Sequence, residues 1–268
     1  MHIVEPSHYL RKMQADALAP FDIPIGWHEH VHTIGSPEGT VSERGPRSAR
    51  IARWMMLHEV LDALPIYMFK RSATQPTRWQ EVLVALKDAE GDRPEFTFCL
   101  SDGETEASRA FAPPSTYKGH IWEACPESVT MLRGVAQLLQ DAALGGGALI
   151  VDYGGDQSAA ALGEGSLRGI KGHRFVHPLS APGEIDLSAD VDFGFLKRML
   201  QRDTPLQIDG PIRQADFLNT LGMKTMMQHL DLSNAERTGA ERIIDTAAPS
   251  GMGKVYKVLA LRRHAGQT

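Results

Sequence analysis

The sequence is short of cysteine, of aromatic residues and of long apolar runs. Two cysteines among 268 residues, Cys99 and Cys125, cannot build a disulfide framework, and they fit a chain whose thiols stay free. No window approaches ~18 consecutive apolar residues, so no stretch is long enough to cross a bilayer as a helix. No charged segment followed by an apolar one stands at Met1, so no secretory signal is visible. Basic charge is not in excess. With 28 Lys+Arg against 33 Asp+Glu the formal net charge is −5. That argues against a general nucleic-acid binder, whose surface must neutralise phosphates. Three glycine signatures are missing as well. There is no phosphate loop of the Gly-x-x-x-x-Gly-Lys type, no Gly-x-Gly-x-x-Gly after a strand, and no Gly-x-Ser-x-Gly elbow. Gly163-Glu164-Gly165 with Gly169 has the wrong spacing and no strand before it.

What is present is ordinary globular composition, 42% hydrophobic and 23% charged, enough for one large domain. Its pattern is α/β. Ile3-Val4 forms a short strand ending at Glu5, and Ser7 is placed to cap a helix with Leu10, Met13, Ala17 and Leu18 on one face. Residues 35–48, rich in Gly, Pro, Ser and Arg, read as a loop. Ala52 to Leu57 is a short apolar strand. Trp79 to Leu86 and Glu95 to Leu100 alternate as a hairpin does, turning over Asp88 to Pro94. Residues 101–120 are polar and read as irregular. Apolar positions at steps of three and four predict a helix over Glu127–Ala143. The glycines 145–147 stop it, and the apolar strand Ala148–Val151 follows. The Gly/Ala-rich stretch from Gly155 to Gly172 reads as a loop. Asp190–Gln201 and Gln214–Leu221 follow as helices. Ser233-Asn234-Ala235-Glu236 has capping-box spacing, and Lys254–Leu261 closes the chain as a strand. The simplest parse is a single domain over 1–268 with a hairpin and irregular insertion at 79–120.

Acidic residues cluster at the ends of these strands. Glu5 ends the first one, where nucleotide-binding α/β folds place an acid that accepts hydrogen bonds from ribose hydroxyls; a solvated acid before a turn is the bland alternative. Asp152-Tyr153-Gly154-Gly155 follows the apolar strand and faces either a ligand or nothing more than a tight turn. His58-Glu59-Val60-Leu61-Asp62 invites comparison with the zinc pattern His-Glu-x-x-His. Its fifth residue is Asp62, so the paired imidazoles are absent and no metal is expected. Two nearby carboxylates, Glu59 and Asp62, are suited to clamp a guanidinium or to act as a general base; alternatively they stabilise a helix N-terminus. His28, His30 and His32 alternate but have no cysteine nearby, and read as a polar edge.

Several strings together carry a family resemblance. They are His2-Ile3-Val4-Glu5-Pro6-Ser7, Ile23-Pro24-Ile25-Gly26-Trp27 and His58-Glu59-Val60-Leu61-Asp62-Ala63-Leu64-Pro65. Further along come Ala148–Gly154, Asp186-Leu187-Ser188-Ala189-Asp190-Val191-Asp192-Phe193, Gly210-Pro211-Ile212-Arg213-Gln214 and Met252-Gly253-Lys254. In this order the chain resembles the MidA-type mitochondrial protein arginine methyltransferases, the complex I assembly factors, over nearly its whole length. The resemblance implies a class I, Rossmann-like S-adenosylmethionine methyltransferase sheet with a β-hairpin insertion. It implies symmetric dimethylation of an arginine on a core subunit of respiratory complex I in the mitochondrial matrix, with S-adenosylmethionine as cofactor. By that likeness Glu59, Asp62 and His58 fall at the methyl-transfer centre. Glu5 would be the ribose acid, and Asp152 and Tyr153 would line the same cleft.

Two departures stand out. Val60 and Leu61 replace the family's aromatic pair. The glycine-rich Gly-Pro-Gly-Arg-Gly-Thr-Leu loop and the strand before it are not in this sequence. The expectation is therefore a sheet with its first strand missing and weak cofactor binding. That leaves a competing reading, a non-catalytic factor that holds a complex I subunit.

Overall fold

The computed structural model describes residues 1–34, 51–87, 95–115, 117–157, 165–248 and 251–264. The expected loop at 35–48 and the hairpin turn at 88–94 lie outside them. Along the chain, β1 (His2–Val4) leads through the Ser7 cap into α1 (His8–Leu18), then β2 (Gly26–His28) and β3 (Arg53–His58). Next come β4 (Tyr67–Arg71), β5 (Trp79–Lys87), β6 (Glu95–Leu100), α2 (Glu106–Phe111) and β7 (Ile121–Ala124). The middle of the chain holds α3 (Pro126–Gln140), β8 (Gly146–Gly155), β9 (Arg168–Lys171), β10 (Arg174–Val176), β11 (Asp186–Ser188), β12 (Val191–Asp192) and α4 (Phe193–Asp203). The last elements are β13 (Gln207–Arg213), α5 (Gln214–Thr220), α6 (Met223–His229), α7 (Asn234–Ile244), α8 (Met252–Val255) and β14 (Tyr256–Arg263).

Strand β8 organises the main sheet. One edge pairs in parallel with β3, Arg53 to His58 against Gly146 to Val151, and farther on with β12. The other edge pairs antiparallel with β14, whose far side carries β13. An all-apolar strand such as 148–151 requires cover on both faces, and it has it. On one side α3 and α4 pack Leu132, Val135, Leu139, Phe193, Leu196 and Leu200 against Ile150, Leu259 and Leu261. On the other, Val151, Tyr256 and Val258 lie under Phe217, Met252 and Val255.

Gly154 is needed where β12 joins β8. Its φ is +148°, and a Cβ there would stand 2.1 Å from the Val191 carbonyl oxygen. Gly154→Ala is therefore expected to break the β12 pairing and lower stability by ~2 kcal/mol, measured by urea denaturation.

The expected hairpin is part of a larger sheet. The expected strands β5 and β6 pair as a hairpin does, Val82 against Leu100 through Lys87 against Glu95. They belong to a four-stranded sheet in the order β6-β5-β4-β7. Its own core holds Phe69, Trp79, Tyr117 and Trp122. Within 101–120, read above as irregular, α2 forms because Thr105 and Ser108 cap it reciprocally. Residues 168–171, read as loop, are strand β9 at the centre of a small sheet with β10 and β11.

Strands β1 and β2 form a separate parallel pair. They reach the main body through Val31, which packs into the core formed by α3 and α4. Helix α1 has the expected cap and no buried residue. Along β3, Trp54 is 80% exposed and Met56 is exposed beside it, and the strand has no second strand partner among the described residues.

Candidate functional site

At the carboxyl end of β3 the chain turns sharply. Glu59 takes a left-handed conformation (φ 51°), and its N–H donates to the Val151 carbonyl at 3.0 Å. The next three N–H groups converge on one carboxylate oxygen. Val60, Leu61 and Asp62 donate to Asp152 Oδ2 at 3.3, 3.0 and 3.4 Å, while Tyr153 N–H donates to Oδ1 at 3.0 Å. Asp152 is 1% exposed. It thus stands behind the turn, its oxygens taken up by backbone donors. Burial, then the nearby Asp62 carboxylate, pushes its pKa up to about 7, and the backbone donors oppose that rise.

The turn presents two acids differently. Glu59 is exposed, and its Oε1 accepts a hydrogen bond from Tyr256 Oη at 2.6 Å. Asp62 is 8% exposed; Tyr153 Oη donates to its Oδ2, and its buried Oδ1 accepts no hydrogen bond among the described residues. Because the Tyr153 proton points to Asp62, Ser188 Oγ, 2.7 Å away, is the donor to Tyr153 Oη. The 189 N–H in turn donates to the Asp62 carbonyl at 3.0 Å, tying the segment after β11 to the turn. The Arg168 guanidinium lies over the Tyr153 ring at 4.8 Å and pairs with Asp190 at 2.7 Å. Burial and the bond to Asp62 push the Tyr153 hydroxyl up to about 12; burial and the bond to Glu59 raise Tyr256 further still. Both hydroxyls therefore stay protonated donors at neutral pH.

Of the expected residues, Asp62, Asp152 and Tyr153 come together in one hydrogen-bonded group, and Glu59 stands beside it in the chain, bonded instead to Tyr256. His58 is exposed at the end of β3 and takes no part in it. Glu5 is elsewhere in the network of bonds: its Oε1 accepts from the Ser7 N–H at 2.9 Å and its Oε2 faces the Gln14 amide at 3.4 Å, at the entry to α1. A carboxylate has about four lone-pair positions, so Glu5 keeps capacity for two ribose hydroxyls. Tyr256, Ser188 and Arg168 were not picked out from the sequence. Tyr256 lies within the expected closing strand, but only the register of β14 on β8, Tyr256 opposite Tyr153, shows which face it takes.

A cavity of about 580 Å³ borders the same turn through Leu61 and Ala189. It runs between α3, α4 and the insertion, with Phe111, Trp122, Asp192 and Phe195 in its wall. Among the described residues no group of His, Cys, Asp or Glu is placed to hold a metal ion, and no helix is long and apolar enough to cross a membrane.

An open α/β sheet with acids at the carboxyl ends of its parallel strands places a ligand site at that edge. The sequence profile of a family of S-adenosyl-L-methionine-dependent methyltransferases matches residues 1–212, and the chain belongs to that family. Among curated relatives, the mitochondrial protein arginine methyltransferase NDUFAF7 of Danio rerio is 32% identical, over 91% of this chain and 56% of its own length. The protein of the same name from Homo sapiens is 28% identical over 98% of this chain and 59% of its own. The chain thus spans less than three fifths of these relatives. A crystal structure from Burkholderia thailandensis, bound to S-adenosyl-homocysteine, superposes with a TM-score of 0.72. It covers 98% of this chain and 63% of the other, at 23% identity, and so shares the fold.

Proposed function

We propose that this protein transfers methyl groups from S-adenosylmethionine to arginine side chains of a protein. We place it in the mitochondrial matrix, acting on a core subunit of respiratory complex I and carrying the arginine to the symmetric dimethyl form. The observation that carries the reading is the exposed Glu59 carboxylate, held by Tyr256 just past the end of β3. A guanidinium supplies what its second oxygen lacks: N–H donors in a planar fork. The names of the mitochondrial relatives support the substrate class and the compartment.

The cofactor, when bound, supplies an already electrophilic methyl group on its sulfonium. The protein's task is to align a guanidinium nitrogen and to take up its proton. Glu59, being exposed, pairs with the guanidinium and is the proton acceptor. Asp62, being buried, orders Tyr153 behind the exposed carboxylate. Glu5 serves the ribose at the end of β1.

The test is to incubate the protein with S-adenosylmethionine and arginine-containing peptides from complex I core subunits, then read the products by mass spectrometry. Symmetric dimethylarginine is the expected product. Binding of the subunit with no methylation at any arginine would sink the reading in favour of a non-catalytic factor.

A further inference from the structure

The Tyr256–Glu59 contact joins residues 197 positions apart and lies at the edge of the proposed site. Tyr256 is 9% exposed, so water does not compete freely for this bond. Its ring is fixed from the side as well: it meets the Tyr153 ring edge-on, with centroids 5.2 Å apart and planes at 80°. Glu59 is fixed at the backbone, by its left-handed φ and by its N–H bond to Val151. With the backbone set, the carboxylate keeps its three side-chain torsions, and the Tyr256 hydroxyl restrains them by holding one lone pair of Oε1. Among the described residues Oε2 takes no bond.

We propose that Tyr256 is a positioning residue that sets the plane of the Glu59 carboxylate, and thereby selects a planar guanidinium over an ammonium. This rests on the assignment of Glu59 to the substrate. A guanidinium engages a carboxylate through two parallel N–H bonds in one plane, so it gains from a carboxylate whose plane is already set. An ammonium is a compact point charge with three rotatable donors, and is indifferent to that plane. Removing the hydroxyl therefore weakens arginine and leaves lysine unchanged.

The experiment is calorimetric titration of wild type, Tyr256→Phe and Glu59→Gln with two acceptor peptides differing only in Arg or Lys at the target position. Circular dichroism melts run alongside; the Phe ring retains the packing on Tyr153, so Tyr256→Phe is expected to fold. Its affinity for the Arg peptide is expected to fall about tenfold, the worth of one hydrogen bond to a charged group. Affinity for the Lys peptide is expected to hold, so the Arg/Lys preference narrows. Equal weakening of both peptides, or of neither, overturns the positioning role. If Glu59→Gln itself leaves the Arg/Lys preference intact, the failure belongs to the assignment of Glu59 and not to Tyr256.

Discussion

Glu59→Gln is expected to lower kcat/KM for arginine methylation by ~10²–10⁴-fold while leaving the melting temperature unchanged. The amide keeps the shape of the side chain and still accepts from Tyr256 through its carbonyl oxygen. It loses the negative charge proposed to draw the guanidinium, and the basicity proposed to take its proton. Stability should not suffer, because Glu59 is exposed and forms no ion pair among the described residues. The loss should appear with saturating cofactor, which separates it from any defect at Glu5. Steady-state rates on a peptide substrate decide the matter. A variant within threefold of wild type would remove Glu59 from the chemistry and leave Asp62 as the remaining carboxylate at the turn.

The second large effect is on stability, at Asp152. Asp152→Ala strips the acceptor from four backbone N–H groups, three of them in the turn that carries Glu59 and Asp62. Leaving such buried donors unpaired is expected to cost ~3–5 kcal/mol, a large part of the ~5–15 kcal/mol that holds a domain folded. Methylation should vanish with it, since the turn loses its shape. The charge has a separate consequence. The folded pKa lies near 7, above the ordinary 3.8, so the native state binds a proton that the unfolded chain has released. Stability from this group is full below about pH 4 and is lost as pH rises through about 7, by at most ~4 kcal/mol. Asp152→Asn is already neutral and keeps an oxygen acceptor. Its unfolding free energy, from denaturant titrations between about pH 5 and 8, should lose that downward slope. Parallel pH curves for Asp and Asn would show that burial does not hold the proton on Asp152.

Much of the framework was legible because it is local. The helix over α3 follows from apolar spacing at three and four, and the strand after it from an unbroken apolar run. The Ser7 and Ser233 caps appear as written, the latter with Glu236 closing the box. What escaped is non-local. Strands β4 and β7 pair with each other across the 49 residues 72–120, Tyr67 against Ala124, so neither shows a hairpin signal. Helix α2 is only six residues long, and its box uses Ser108 where Glu or Gln is usual. At the site, Glu59, Asp62, Asp152 and Tyr153 stand out in the sequence, and hydrogen bonds join the last three. Whether a strand-end acid faces a cleft or the backbone behind it depends on what packs there. Asp152 faces backward because three N–H groups of another segment meet it. Tyr256 acquires its neighbour Glu59 only through the pairing of β14 with β8, a contact no short window contains.

That pairing also sets the order in which the protein can become competent. Strand β14 lies between β8 and β13, although both precede it in the chain. Until it inserts, those two strands have no common partner, and closing the intervening stretch carries the entropy of a long loop. Tyr256 reaches Glu59 in that same late event. Every excursion that withdraws β14 would then disarm the carboxylate as it takes Leu259 and Leu261 out of the α3–α4 core. Amide exchange along β14 and the decay of activity on heating should therefore follow one another, making methylation a sensor of how firmly a single interior strand is seated.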